Sequence, residues 1–335
     1  MAKISFYDGH GKLYYNPNTE LNIGVGGTET VLIQSAKALA KKGHEVSVYI
    51  KCNFPDIYDN VKYYMYHDYT PQNEDALIGF ENFPTNRNAK KVFNFTNRYY
   101  IQDIERFPFV DKIIAVSDWQ RDYFASLLSK ELVSKMIVIN LGVDQSFFQE
   151  TEKQPFSITY AGSPAKGGMP ALVSVFQRLK IPNIKLHAYG GGGLWGWDNE
   201  QYRHIYNNLI KNGILYHGQI GKEEMALRLN QSQIFLYPVG QHHKEAFCLV
   251  VLQAMAAGNI VITTDNGNLK NLVGDRGFII PGDINHYIWA MEVVDKITKL
   301  YENPELMKEL SNRSKEFAKQ FSWSKTAESL EKLIL

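Results

Sequence analysis

The sequence predicts an α/β protein built from two successive units, each a parallel sheet with crossover helices. Three observations predict it. At about 150 residues per domain, the 335-residue chain holds roughly two domains. Short apolar runs of strand character alternate with longer runs of helical period, the rhythm of βαβ units. That rhythm stops at the polar, proline-ended stretch NLGVDQSFFQETEKQP (140–155) and then restarts.

The first half reads as follows. Residues 2–7 (AKISFY) form a first strand. The glycine-rich GVGGTET (24–30) opens an amphipathic helix, in which Val31, Leu32, Ala36, Leu39 and Ala40 recur at helical spacing and Gly43 is a C-cap candidate. EVSVYI (45–50), KKVFNF (90–95), KIIAV (112–116) and IVINL (137–141) are further strands, with Asp118 the expected cap of the helix after KIIAV. In the second half, SITYAG (157–162), IKLHAYG (184–190), ILYHG (214–218), QIFLYP (233–238) and IVITT (260–264) are strands. Residues 286–319 read as two helices split near Asn303-Pro304. The segment 322–335 is a last amphipathic helix with Leu330, Leu333 and Ile334 on one side. The expected organisation is a Rossmann-like domain over 1–150, a second over 151–320, and a helix over 321–335. Ligands are then expected in a cleft at the carboxyl ends of parallel strands.

Composition removes several classes. The charge is +1, from 36 basic and 35 acidic residues. A nucleic-acid binder usually carries a basic excess. Hydrophobic residues are 44% and charged residues 21%, a core-forming balance rather than a disordered one. Two cysteines, Cys52 and Cys248, build neither a disulfide framework nor a zinc pattern, which points to a reducing, cytoplasmic setting. The start MAKISFYDGH lacks an apolar signal core. No apolar run approaches the ~18 residues of a membrane span.

Four segments carry candidate chemistry. GVGGTET places Gly26 and Gly27 before a helix, where free amides and the helix dipole suit a phosphate. A dinucleotide fingerprint would need glycine at position 29, which is Glu29, so a plain strand-to-helix turn competes. GGGGLWGW (190–197) satisfies G-x-G-x-x-G formally, but Tyr216 stands where an acidic ribose ligand belongs. AGSPAKGG (161–168) sets Lys166 just past a strand among Gly162, Ser163, Gly167 and Gly168, a good position for a cation facing a diphosphate. A solvated surface lysine is the competing reading. HHKEAFCLVVLQAMAAGNIVITTDNG (242–267) puts Glu245 before a helical run, with the amides of 246–249 as helix-start donors and Gln253 near the run's middle. H-E-x-x-H and G-x-S-x-G are absent, and the 20 tyrosines read as core and rim.

Together these segments resemble glycosyltransferase family 4, retaining enzymes of the GT-B fold. The likeness runs from YAGSPAKGG through LYHGQIGKEEMALRLNQSQIFLYP and EAFCLVVLQAMAAGNIVITTDNG to GFIIPGD and FSW. GVGGTET, KKGHEVSVY, DKIIAVSDWQ and NLGVD extend it more loosely over the first half.

The resemblance implies transfer of a sugar from a nucleoside diphosphate sugar, UDP- or GDP-linked, to a hydroxyl acceptor that is a glycan, lipid-linked or a small molecule. It implies Glu245 beside the transferred sugar and Gln253, in place of the usual acidic residue, at the ribose. The family's arginine and lysine at the diphosphate fall on Ser163 and Lys166. Its Glu-Gly-Phe-Gly-Leu becomes Glu245-Ala246-Phe247-Cys248-Leu249, whose amides persist without the glycines. His217, Gly218 and Ile220 fall beside the base, and Gly26, Gly27 and Gly162 line the donor site. The family's His-Asp pair falls on Thr96-Asn97. The acceptor is expected mostly around 8–20 and 95–100. No D-x-D occurs, so metal-independent chemistry with no cofactor is expected. Expected partners are the nucleotide sugar and the acceptor, without nucleic acid. A cytoplasmic protein follows, with peripheral membrane attachment open. Two other classes stay open: a nucleotide-sugar epimerase of the same fold, and a nucleotide-sugar binding protein with weak or no transferase activity, suggested by Gln253, Ser163 and Thr96.

Overall fold

The computed structural model describes residues 1–9, 13–52, 54–84 and 88–335. The chain divides into two compact units. One comprises Met1–Glu20, Val25–Gly142 and Phe321–Leu335; the other comprises Leu21–Gly24 and Val143–Gln320.

The first unit is built on eight strands: β1 (Lys3–Tyr7), β2 (Glu45–Ile50), β3 (Asp56–Tyr58), β4 (Val61–Met65), β5 (Ala76–Gly79), β6 (Lys91–Thr96), β7 (Lys112–Ala115) and β8 (Met136–Val138). Their order is β3-β4-β2-β1-β5-β6-β7-β8, and every pair is parallel except β3 with β4. Ile4, Phe6, Val48, Leu77 and Ile78 are wholly buried, as expected where helices cover both faces of a parallel sheet. The sequence reading missed β3, β4 and β5. The run Ala76–Gly79 is only four residues, too short to show a period.

Helices of this unit include α1 (Pro17–Asn22, whose last two residues are grouped with the second unit), α2 (Gly27–Lys41), α3 (Asp118–Ala125) and α4 (Lys130–Ser134). Asp118 is not the cap of α3. Ser117 caps it, its side chain accepting from the Gln120 N–H at 3.1 Å, because Ser117 alone has the extended backbone an N-cap needs.

The second unit carries β9 (Ser157–Ala161), β10 (Lys185–Tyr189), β11 (Leu215–Gly218), β12 (Ile234–Tyr237), β13 (Ile260–Thr263) and β14 (Phe278–Ile279), all parallel, in the order β11-β10-β9-β12-β13-β14. Its helices are α5 (Met169–Phe176), α6 (Arg203–Lys211), α7 (Lys222–Gln231), α8 (Leu249–Ala256), α9 (Leu269–Val273), α10 (Tyr287–Glu302) and α11 (Pro304–Ala318). Lys153 ties the entering chain to this unit. Its ammonium donates to the carbonyls of Asn230, Ser232 and Ala257 at 3.2, 2.5 and 2.9 Å, collecting carbonyls at the ends of α7 and α8.

The last helix, α12 (Trp323–Ile334), belongs to the first unit. Trp323, Ala327, Leu330 and Ile334 form its buried stripe against α2. His44 links the two helices. Its Nδ1 accepts from the Ala2 N–H at 3.1 Å, so Nε2 carries the proton and donates to Glu331 at 2.9 Å. Among the described residues no helix is long and apolar enough to cross a membrane.

Candidate functional site

In the second unit, β9 and β10 are followed by Gly162 and Gly190, and β11 ends at Gly218. Gly162 N–H donates to Tyr189 O at 3.2 Å, and Gly190 N–H donates to Gly218 O at 2.7 Å. Gly190 has φ +106°, and a Cβ there would strike the Gly162 carbonyl, so the strand ends close only with glycine.

Lys166 follows Gly162 in a single 3-10 turn (Pro164–Lys166). The turn is capped by Ser163, whose hydroxyl accepts from Ala165 N–H at 3.1 Å, and closed by Gly167 at φ +76°. The Lys166 ammonium donates to Glu245 Oε1 at 2.6 Å and to Tyr237 Oη at 3.0 Å. Tyr237 Oη donates to the same Oε1 at 2.8 Å, and His243 Nε2 stands 3.6 Å from it. Burial alone would pull Lys166 down, but the Glu245 carboxylate outweighs it and holds the ammonium above its ordinary value. Burial opposes ionisation of Glu245 too; Lys166 and then His243 outweigh it and hold the carboxyl well below the usual range. The pair is therefore ionised at neutral pH. Lys166 is not a solvated surface lysine: its side chain is 19% exposed and that of Glu245 8%.

The Glu245 backbone is clamped. It bridges Gly267 in parallel, and its carbonyl accepts from Asn268 N–H at 2.7 Å. Gly267 has φ +72°, and a Cβ there would strike the Glu245 backbone. The helical run starts later than its composition suggests. Ala246, Phe247 and Cys248 are buried but non-helical, and α8 begins at Leu249. The amides left without intrahelical partners thus start at Leu249 rather than Ala246. Cys248, the N-cap, holds φ +76° in the left-handed region.

Other candidates fall outside this network. Gln253 is half-buried one turn into α8. His217 stacks on Tyr189 (ring centroids 4.7 Å apart), and its Nε2 lies 2.9 Å from Nδ1 of His187. Burial lowers both histidines, each helped by a neighbouring charge. Ile220 presses its carbonyl on Gly24, whose own carbonyl accepts from the Gln219 side chain at 3.0 Å. Tyr237 and His243 were missed in the sequence. Tyr237 closes the strand QIFLYP, and that placement at a carboxyl end was the available signal.

In the first unit, Gly26 caps α2 and Gly27 opens it with open space where a side chain would stand. Thr96 spends its hydroxyl on Ile114 O at 2.8 Å. Thr28 Oγ1 reaches Asn97 Oδ1 at 3.5 Å. Buried near this end are Asp8, Glu29 and Glu81, with Tyr15 Oη donating to Asp8 at 3.2 Å and Arg98 ion-paired with Glu81.

The chain superposes on sucrose-phosphate synthase from Thermosynechococcus elongatus with TM-score 0.78 and 18% identity over 99% of this chain and 98% of that one. It superposes on a glycosyltransferase from Rickettsia africae with TM-score 0.75 and 14% identity over 99% and 97%. The architecture is the GT-B fold of glycosyltransferases. The model for glycosyl transferases group 1 matches residues 144–317, more than half of the chain, and the chain belongs to that family. An uncharacterized glycosyltransferase of Methanocaldococcus jannaschii is 27% identical over 218 residues, covering 64% of this chain and 56% of that protein. A D-inositol 3-phosphate glycosyltransferase of Streptomyces bingchenggensis is 24% identical over 242 residues, covering 65% and 51%. The match thus spans just over half the length of these curated relatives.

Proposed function

We propose that the protein is a retaining, metal-independent glycosyltransferase. It moves a sugar from a UDP- or GDP-linked donor to a hydroxyl acceptor. The observation that carries this reading is the Lys166–Tyr237–Glu245 cluster at the carboxyl ends of the second unit's strands.

As the glycosidic bond to the diphosphate breaks, negative charge grows on the leaving oxygen. Preorganised donors there lower the barrier most. Lys166 has three N–H donors and spends two on Tyr237 and Glu245, so one remains for a phosphate oxygen. The helix-start amides of α8 add fixed partial positive charge. Glu245, held ionised, accepts hydrogen bonds from sugar hydroxyls and orients the ring. Gln253 serves the ribose, and the segment His217–Ile220 the base. The donor-domain motifs shared with the family support this assignment.

The test is a thermal-shift screen with UDP, GDP and their glucose and mannose conjugates, since a ligand that binds only the native state raises stability. Product analysis in excess EDTA then follows by NMR. The expected result is stabilisation by one nucleotide series and a product keeping the donor's anomeric configuration. Inversion, or activity restored only by Mg²⁺ or Mn²⁺, would remove those parts of the reading. No response to any nucleotide would remove all of it.

A further inference from the structure

The carboxyl-end pole of the first unit's sheet carries polar side chains that donor chemistry does not use. Asp8 follows β1, Glu81 follows β5, Arg98 follows β6, and Glu29 lies in the first turn of α2. The three carboxylates are 4%, 6% and 7% exposed for Asp8, Glu81 and Glu29. Arg98 is ion-paired with Glu81 and also donates to Tyr100 Oη at 2.7 Å. Its charge is therefore already matched. Tyr15 donates to Asp8 at 3.2 Å, and burial, then Asp8 and Glu29, push its hydroxyl well above the ordinary range. Glu29 Oε2 is buried with no hydrogen-bond partner among the described residues, and so, despite its ion pair, is Arg98 Nε. A buried polar atom left unpaired costs about 1–3 kcal/mol. An acceptor and a donor left in this way suit hydroxyl groups, which both donate and accept.

With the acceptor at this unit, as the resemblance implies, we propose that this pole selects a hydroxyl-rich glycosyl or polyol group that is neutral or cationic, rejecting one that carries phosphate. This rests on the reading of the protein as a glycosyltransferase. A phosphate monoester carries about −1.5 to −2 charge at neutral pH and would face Glu29 and Asp8 with the arginine already engaged. Sugar hydroxyls satisfy Glu29 Oε2 directly, and an ammonium adds charge pairing. Burial chiefly raises the Glu29 carboxyl to about 7, opposed by a hydrogen bond from its own backbone and by Arg98, with Glu81 adding, so near neutrality it can accept from a hydroxyl or donate to one. Glu29 is thus assigned as a specificity-determining residue.

The test is ligand-detected NMR with three probes of one ring skeleton: methyl α-glucoside, glucosamine and glucose 6-phosphate. Each is titrated with UDP or GDP present into wild type, Glu29→Gln and Asp8→Asn. The expected result is that the glucoside and glucosamine bind wild type at least tenfold more tightly than the phosphate. Each variant should lose about tenfold for the first two and narrow the gap to the third. Tighter binding of glucosamine than of the glucoside assigns an amino acceptor; equal binding assigns a neutral one. The proposal is overturned if the phosphate binds as well as the glucoside, if both variants match wild type, or if no probe binds. Because these readouts need no donor turnover, they fail separately from the nucleotide screen. In a transfer assay, Glu29→Gln should raise the acceptor KM more than it lowers kcat.

Discussion

The ammonium of Lys166 and the carboxylate of Glu245, 79 residues apart in sequence, meet at 2.6 Å. Tyr237 bonds to both groups. The two motifs that the sequence offers as separate candidates are therefore one electrostatic unit.

Removing one partner of that unit should be costly. Lys166→Ala leaves a carboxylate that is only 8% exposed without its main counter-charge. The expected loss is about 3 kcal/mol, the scale of breaking a buried pair. The double variant Lys166→Met/Glu245→Gln should recover most of it. Urea unfolding of the set checks this, and a Lys166→Ala loss under about 0.5 kcal/mol would return the pair to the surface class.

Glu29 sets a pH signature. Its carboxyl is raised from 4.5 to about 7, chiefly by burial. The folded state then binds this proton more tightly than the unfolded state. The associated stability is complete below about pH 4.5 and is lost as pH climbs to about 7. Glu29→Gln abolishes that slope. The variant should gain on wild type by about 3 kcal/mol between pH 4 and pH 8, measured by denaturant unfolding. A pH-independent difference would contradict the buried placement.

Cys248 offers a backbone test. It holds φ +76° where the resembled family has glycine. Cys248→Gly and Cys248→Ala both lose the thiol, but only alanine keeps the left-handed penalty of about 1–2 kcal/mol. The glycine variant should be the more stable by that margin in thermal melts; equal stabilities would contradict it.

Much of the fold was legible in the sequence for a physical reason. β2 spans Glu45–Ile50 as its alternation predicts, and α10 and α11 split at Asn303-Pro304 because the proline sits at the first position of α11. β5 was hidden because its four residues, Ala76–Gly79, carry no period. The site was legible as residues at strand ends, but not as a network. Tyr237 reaches Glu245 from the end of β12, and His243 from two residues away through a non-helical bend, and no period reports either. The start of α8 was misplaced because Ala246–Cys248 are apolar enough to read as helix. The clamp by Gly267 holds that segment out of it.

The α12 contact should depend on packing more than on charge. Leu330 is wholly buried, and Leu330→Ala should cost about 2–4 kcal/mol. Glu331, 26% exposed and paired with Lys42 and His44, should cost under about 1 kcal/mol as Glu331→Ala. Chemical denaturation of the two variants checks the order, and its reversal would contradict this account of how residues 321–335 are held.

The most direct test of the donor-site account is calorimetric titration of UDP and GDP into wild type, Lys166→Gln and Glu245→Gln, with turnover measured alongside. The account predicts that one nucleotide binds wild type and binds Lys166→Gln at least tenfold more weakly, the scale of a lost charge-assisted hydrogen bond. It predicts that Glu245→Gln keeps nucleotide affinity within about threefold while turnover falls about tenfold to a thousandfold, because its contacts are to the sugar. Wild-type nucleotide affinity in Lys166→Gln, or wild-type turnover in Glu245→Gln, would contradict it.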